Sequence, residues 1–146
     1  MNYYQEINSA KNIFISHIFE PKENSLEFEL TIGKLSDIEE PIIWNGVDLG
    51  IGKSIYYDDK SDKYKVTFDS YICYSVINES FDNLYEKEFT GNKARIYSDS
   101  NLLNYIKEDT IATFDYPGEY KHYSLIAEDH IINVVSTIEP AIEKVN

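Results

Sequence analysis

The feature that most constrains the fold is an alternating stretch at residues 63–80, which reads KYKVTFDSYICYSVINES. Except at Ser70, its even positions from Tyr64 to Val76 are apolar or aromatic. β-Branched and aromatic residues fit a pleated surface, and a period of two places alternate side chains on opposite faces of a strand. The stretch therefore predicts one long central strand, which the polar cluster at residues 78–80 ends.

Shorter segments on both sides predict antiparallel hairpins. Residues 12–20 and 25–32 have strand-like patterns, and the turn-forming residues between them indicate a β-hairpin. Residues 122–127 and 130–136 predict a second hairpin around Glu128 and Asp129.

A short strand at residues 94–97 and a helix complete the predicted elements. Ser98, Asp99 and Ser100 offer N-cap oxygens and a first-turn carboxylate for a helix over residues 101–109. We expect one α+β domain over residues 1–146, a mostly antiparallel sheet with one or two short helices packed on it.

Residues 33–54 have the least regular pattern. Asn45-Gly46 is a turn signal, and we expect Trp44 to pack beneath this segment. The triplet Gly52-Lys53-Ser54 is not a phosphate loop, because Val47 stands where the first glycine of that motif belongs. The strand pattern and acidic turn that follow also differ from the helix that such a loop must open.

Several local patterns allow more than one interpretation. The first eleven residues fit a short helix or an irregular segment. Phe81, Leu84 and Tyr85 have the spacing of one or two helical turns, and we expect ordered sheet to end at Pro140. His17 is predicted to be half-buried and hydrogen-bonded, since it shares a face with apolar residues of the first strand.

The net charge of -13 indicates what the chain can bind. Arg95 is the only arginine, and neutralising the phosphate chain of a nucleic acid needs clustered Lys and Arg, so direct nucleic-acid binding is disfavoured. A folded anion attracts cationic partners, although acidity also serves solubility alone. Neither a signal peptide nor a membrane span of ~20 apolar residues is visible, so we expect a cytoplasmic location.

The residues with chemical potential do not form a catalytic motif. The single cysteine, Cys73, lies among apolar neighbours and is expected to pack as a small hydrophobe. His122 and His130 stand near carboxylates, but their spacing matches no helix-borne zinc motif, and a structural role is the favoured account. We therefore expect no cofactor, no metal and no enzymatic activity.

Three motifs resemble those of a family of small uncharacterised bacterial proteins. They are Phe68-Asp69-x-Tyr71-x-x-Tyr74-x-Val76-x-Asn78-Glu79-Ser80, Arg95-Ile96-Tyr97-Ser98-x-Ser100, and Lys121-His122-Tyr123 followed by His130-Ile131-Ile132-Asn133-Val134-Val135. They cover roughly residues 64–140. Such proteins are similar to the immunity members of bacterial toxin–immunity loci, which implies a chain that binds and silences a partner toxin.

The leading hypothesis is thus an immunity or antitoxin-like protein that occludes the active site of a basic, nuclease-type toxin. Its expected partner-binding residues mix aromatic and acidic character: Tyr56, Tyr57, Asp58, Asp59, Asp62, Glu79, Asp82 and Glu86. The alternative is a small enzyme or ligand-binding domain with a pocket built on Tyr71, His122, Tyr123 and His130. A third interpretation is a homo-oligomer that pairs exposed strand edges, so the choice between monomer and dimer is left open.

Overall fold

The computed structural model describes residues 3–83 and 87–146 and has an α+β architecture dominated by antiparallel strands. In chain order the elements are α1 (Tyr3–Ser9), β1 (Ile13–Phe19), β2 (Leu26–Ile32), β3 (Lys34–Trp44), β4 (Val47–Tyr56), β5 (Lys63–Phe68), β6 (Cys73–Asn78), a 3₁₀ turn (Glu79–Phe81), β7 (Phe89–Thr90), β8 (Ala94–Tyr97), α2 (Asn101–Asp109), β9 (Lys121–Ile126), β10 (His130–Ser136) and β11 (Ala141–Lys144). Sheet I has the strand order β1-β2-β5-β11, and sheet II has the order β6-β10-β9-β8-β7. Strands β3 and β4 form a separate two-stranded hairpin. The predicted fold class is confirmed.

Sheets I and II bury their facing side chains in one hydrophobic core. Alternate residues of β5 point into this core, and Tyr64, Val66 and Phe68 are at most 1% exposed. The Phe68 ring lies 5.6 Å from the ring of Tyr123 on β9, so these two aromatic side chains join the sheets directly. Ile132 of β10 is also fully buried in the same core.

The predicted single strand over residues 63–80 is wrong, because the chain leaves one sheet and enters the other within this stretch. Strand β5 pairs with β2 and β11 in sheet I, whereas β6 pairs with β10 in sheet II. At the crossing, Ser136 Oγ donates to the Ser70 carbonyl at 2.7 Å, and the Ile72 N–H donates to the Val135 carbonyl at 2.7 Å. Alternation reports an extended backbone but does not specify the strand it pairs with.

Residues 33–54, predicted to be irregular, form most of the β3–β4 hairpin. Asn45 and Gly46 have φ values of 49° and 75°, as the two-residue type I′ turn requires. Pro41 is tolerated because β3 has only one partner strand and needs no N–H on its outer edge. The glycines and the proline obscured a strand alternation that continues to Tyr56.

Helix α2 begins where its capping residues predict. Ser100 Oγ accepts a hydrogen bond from the Leu103 N–H at 3.1 Å, and Ile106 farther along the helix is fully buried. At the other end of the chain, the ambiguous first residues form α1. Its Ile7 enters the core, and its Glu6 carboxylate accepts a hydrogen bond from the Tyr64 hydroxyl.

Both predicted hairpins are confirmed. β1 pairs antiparallel with β2, and β9 with β10. His17 is exposed rather than half-buried, since it has a φ of 53° at a register shift in β1. Ordered sheet does not end at Pro140, because β11 follows it and pairs with β5. Phe81 lies in the 3₁₀ turn, while Leu84, Tyr85 and Glu86 lie outside the described residues.

No helix within residues 3–83 and 87–146 is both long enough and apolar enough to cross a membrane.

Candidate functional site

The predicted partner-binding residues fall into two groups on different elements. Tyr56 ends β4, and Tyr57, Asp58, Asp59 and Asp62 lie in or near the loop between β4 and β5. Tyr56 and Tyr57 are exposed, although the Tyr57 ring also lies 4.9 Å from the Phe14 ring. This first group therefore adjoins the base of the β3–β4 hairpin.

Asp58 organises the loop in which it lies. Its Oδ1 accepts hydrogen bonds from the Lys34 ammonium at 2.8 Å and from the Lys60 N–H at 2.9 Å. Its own N–H donates to Ser61 Oγ at 2.9 Å. The hydrogen bond from Lys34 is the main cause that holds the pKa of Asp58 below its ordinary value. Asp62 likewise has a cationic neighbour, with the Lys144 ammonium 3.3 Å away.

The second group lies after strand β6. Glu79 and Asp82 line a pocket on the outer face of sheet II, and Glu86 is outside the described residues. Sequence reasoning joined these residues to the β4–β5 loop through one long strand. Because that strand is divided between two sheets, the two groups belong to different parts of the fold.

The β3–β4 hairpin carries the largest set of exposed apolar side chains in the described chain. Trp44 beside its turn is 67% exposed and Ile51 is 70% exposed, so the prediction that Trp44 packs beneath this segment is wrong. The other exposed members are Leu35, Ile38, Ile42, Ile43, Val47, Leu49 and Ile55. A soluble chain seldom leaves this many neighbouring apolar side chains uncovered unless they meet another surface. Asn45-Gly46 was the one sequence signal for this hairpin.

The four residues of the alternative pocket do not converge. Tyr123 is buried in the core, and Tyr71 donates to the Glu20 carboxylate at 2.8 Å, a hydrogen bond that is the main cause raising the pKa of Tyr71 to about 12. His130 lies at the start of β10, with its Nδ1 3.2 Å from Asp129 Oδ1. His122 alone lines the pocket on sheet II. Tyr123 and His122 are adjacent on a strand, and adjacent side chains point to opposite faces.

The sheet II pocket has a volume of about 520 Å³ and a polar floor. The strand register places one residue from each of four neighbouring strands in a single row across the sheet: Arg95 of β8, Ser124 of β9, Asn133 of β10 and Ser75 of β6. The register also pairs Tyr97 of β8 with His122 of β9. Sequence reasoning missed this row, because its members are separated by up to 58 residues along the chain (75 to 133).

Two side-chain hydrogen bonds and a stacked aromatic ring hold His122 in the pocket. Its Nδ1 lies 2.7 Å from Ser100 Oγ, its Nε2 lies 2.9 Å from Asn133 Oδ1, and its ring stacks on Tyr97 at 4.6 Å. Since the Asn133 Oδ1 can only accept, Nε2 carries the proton, and the Ser100 hydroxyl donates to Nδ1. Burial lowers the pKa of His122 below its ordinary 6.5, although the Asn133 hydrogen bond opposes the shift. The ring is thus held as a neutral imidazole.

The walls of the pocket differ in charge. Ser100, Asn101 and Leu102 bring the N-terminus of α2 to the pocket, which Arg95 of β8 also lines. Glu79 and Asp82, which follow β6 in the chain, also line the pocket, as does Lys87, whose ammonium lies 3.7 Å from Asp99 Oδ2. Throughout the described part of the chain, no group of three or more His, Cys, Asp or Glu side chains is placed to hold a metal ion.

A scan against protein-family models found no match, and searches of curated proteins and of solved structures found no significant similarity.

Proposed function

We propose that this chain is a cytoplasmic immunity or antitoxin-type protein, which binds a basic, nuclease-type toxin and covers its active site. The observation that carries the proposal is the β3–β4 hairpin, whose apolar side chains are exposed on both strands. The hairpin pairs with no other strand in the described residues. Its exposed tryptophan and isoleucines have the character of binding hot spots, which are buried apolar anchors in a complex.

The loop at the base of the hairpin supports an acidic contact with the partner. Tyr57 and Asp59 are exposed there, directly after the hairpin ends. Together with a net charge of -13, these groups favour rapid association with a cationic surface. A nuclease displays Lys and Arg to hold phosphates, so an acidic protein can occupy the place of its substrate.

The experiment uses the C-terminal domain of the protein encoded directly upstream as the first partner. Wild-type chain is expected to bind this domain and to restore growth of cells that express it. The double variant Trp44→Ser/Ile51→Ser should bind at least about 30-fold more weakly, because truncated hot-spot residues typically cost 2 kcal/mol or more. Ile111→Ser is the matched control, since Ile111 is exposed outside the hairpin.

The proposal fails if wild-type chain neither binds nor protects, or if the hairpin variant protects as well as wild type. The acidic contribution is tested separately with Asp59→Asn in the loop at the base of the hairpin, against Glu108→Gln on the exposed side of α2. Slower association at low salt is expected for the first variant only. If neither its affinity nor its salt dependence changes, the acidic surface is wrongly assigned.

Self-association is the second candidate role, because the unpaired edges of β3 and β4 can pair with a second copy. Sedimentation of the purified chain distinguishes toxin binding from self-association. A monomer that binds the toxin supports heterologous binding, whereas a dimer that dissociates in the Trp44→Ser/Ile51→Ser variant supports self-association.

A further inference from the structure

We propose that the pocket on sheet II binds a small phosphate ester, with its phosphate between Arg95 and the N-terminus of α2 and hydroxyl or amine donors facing Glu79 and Asp82. This site is separate from the β3–β4 hairpin, and the inference does not depend on toxin binding. The inference rests on three observations: the polar side chains in the floor of the pocket, the charged residues in its walls and the buried hydroxyl of Ser124.

The phosphate end is defined by donors from two elements. Ser100, Asn101 and Leu102 line the pocket at the first turn of α2, a nine-residue helix. The first N–H groups of a helix have no partner within the helix, and together with the helix dipole they favour phosphate. The Leu103 N–H is already bonded to Ser100 Oγ, whereas the N–H groups of Asn101 and Leu102 make no hydrogen bond within residues 3–83 and 87–146.

Arg95 of β8 also lines the pocket, and three contacts hold its side chain in place. Its Nε donates to the Asn92 carbonyl at 2.9 Å, and one terminal nitrogen donates to the Tyr97 hydroxyl at 3.2 Å. Its guanidinium also lies 4.1 Å from the centre of the Phe89 ring. Among residues 3–83 and 87–146 its second terminal nitrogen makes no hydrogen bond, and a guanidinium fixed in this way suits the planar recognition of phosphate oxygens.

Ser124 supplies the independent indication of a ligand. It is 1% exposed in the floor of the pocket, and its Oγ makes no hydrogen bond within residues 3–83 and 87–146. An unpartnered buried hydroxyl is costly, and such groups are rare in folded proteins. Rotation about χ1 moves a serine hydroxyl between staggered positions, so a ligand oxygen above Arg95 and Asn133 can become its partner.

The opposite side of the pocket selects what the phosphate is attached to. Strands β6 and β8 are three strand spacings apart in sheet II, which is about 14 Å at ~4.8 Å per spacing. Glu79 and Asp82 near β6 are hydrogen-bond acceptors that repel a second anionic group. Ile77, Ile126 and Ile131 provide apolar surface between the two ends. A sugar phosphate or a nucleoside monophosphate satisfies all three regions, whereas inorganic phosphate satisfies only one.

The test is a ¹H–¹⁵N NMR titration of the full chain with four probes: inorganic phosphate, glucose 6-phosphate, AMP and adenosine. We expect shifts at the amides of Asn101, Leu102 and Ser124, and at least about ten-fold tighter binding of one ester than of phosphate or adenosine. The ester that binds more tightly distinguishes a sugar from a nucleoside. Ser124→Ala and Arg95→Gln should each weaken that ester about ten-fold or more, since each removes a hydrogen bond to a charged group.

Lys121→Gln is the matched control, because it removes a cation from β9 outside the pocket lining and should leave affinity unchanged. If Arg95→Gln does not fold, Ser124→Ala still tests the site. This substitution removes only a hydroxyl that has no hydrogen-bond partner within the described residues. The proposal is overturned if neither ester shifts these amides, if phosphate binds as tightly as both esters, or if all three variants bind alike. Loss of toxin binding in the hairpin variant would leave these results unaffected.

Discussion

The imidazole Nδ1 of His122 lies 2.7 Å from Ser100 Oγ, so one hydrogen bond ties strand β9 to the residue that caps helix α2. Ser100 serves both elements, because its oxygen also accepts from the Leu103 N–H. On its other side, His122 bonds to Asn133 of β10. The position of α2 over sheet II, and with it the shape of the pocket, therefore depends on a short chain of polar side chains.

Replacing Ser100 by alanine should destabilise the protein by about 2–4 kcal/mol. The substitution removes an N-cap, which typically contributes about 1 kcal/mol, and leaves the buried His122 Nδ1 without its donor, at a cost of about 1–3 kcal/mol. Urea denaturation measures the free energy of unfolding. Ser98→Ala is the control, since the Ser98 hydroxyl donates to the Glu88 carbonyl at an exposed position. If the free energy of unfolding of Ser100→Ala fell by less than ~0.5 kcal/mol, the hydrogen bonds among Ser100, His122 and Asn133 would not contribute appreciably to stability.

His122 should make stability fall as the solution becomes acidic. Its pKa is lowered in the folded chain, so below the ordinary value of 6.5 the unfolded chain binds a proton that the folded chain does not. The contribution of His122 to the free energy of unfolding therefore has its full value above pH 6.5 and decreases as the pH falls toward the lowered pKa. Wild type and His122→Asn should differ most above pH 6.5 and converge in acid. A difference between wild type and His122→Asn that stays constant at every pH would contradict the titration.

Asp58 should titrate at a lower pH than an unperturbed aspartate, because Lys34 donates a hydrogen bond to its carboxylate. Its pKa is lowered in the folded state, so the ion pair supports the loop above the ordinary pKa of 3.8 and weakens as the pH falls below it. Carboxyl ¹³C NMR of the wild type and of Lys34→Met measures the effect. The pKa of Asp58 should rise in Lys34→Met and stay unchanged in Lys53→Met, a control on β4. Equal values in all three proteins would exclude Lys34 as the cause.

Gly46→Val should disrupt the β3–β4 hairpin and leave the remainder of the fold intact. A β-branched side chain is strained at the φ of 75° that Gly46 adopts. Hydrogen exchange should accelerate at the amides of β3 and β4, while the global free energy of unfolding changes by less than about 0.5 kcal/mol. The hairpin and the two main sheets share no strand pairing in the described chain, which makes its opening local.

Gly91→Val provides the contrast, because Gly91 also has a positive φ but its Cβ would collide with the Ala94 backbone. This variant should lose about 1–3 kcal/mol globally. Global unfolding of Gly46→Val to the same extent would show that the hairpin is part of the cooperative fold.

The success of prediction from sequence depended on the range of the interactions involved. The helix α2 and its Ser100 cap were predicted correctly, because capping is decided within four residues. The β3–β4 hairpin was missed despite its turn signal, since Pro41, Gly50 and Gly52 interrupt the alternation on which strand prediction relies. The prediction of a pocket that contains both Tyr123 and His122 was wrong for a different reason. These neighbouring residues lie on opposite faces of one strand.

By itself the sequence determined that this chain forms an α+β domain of antiparallel strands, since residue alternation, turns and caps act between near neighbours. Only the tertiary structure decided that residues 63–80 divide between two sheets and that the β3–β4 hairpin is left uncovered. It alone also brought Arg95, Ser124 and Asn133 into one row. Those outcomes depend on which distant strands pair and in what register, and that choice follows from burying one face of each sheet in the shared core.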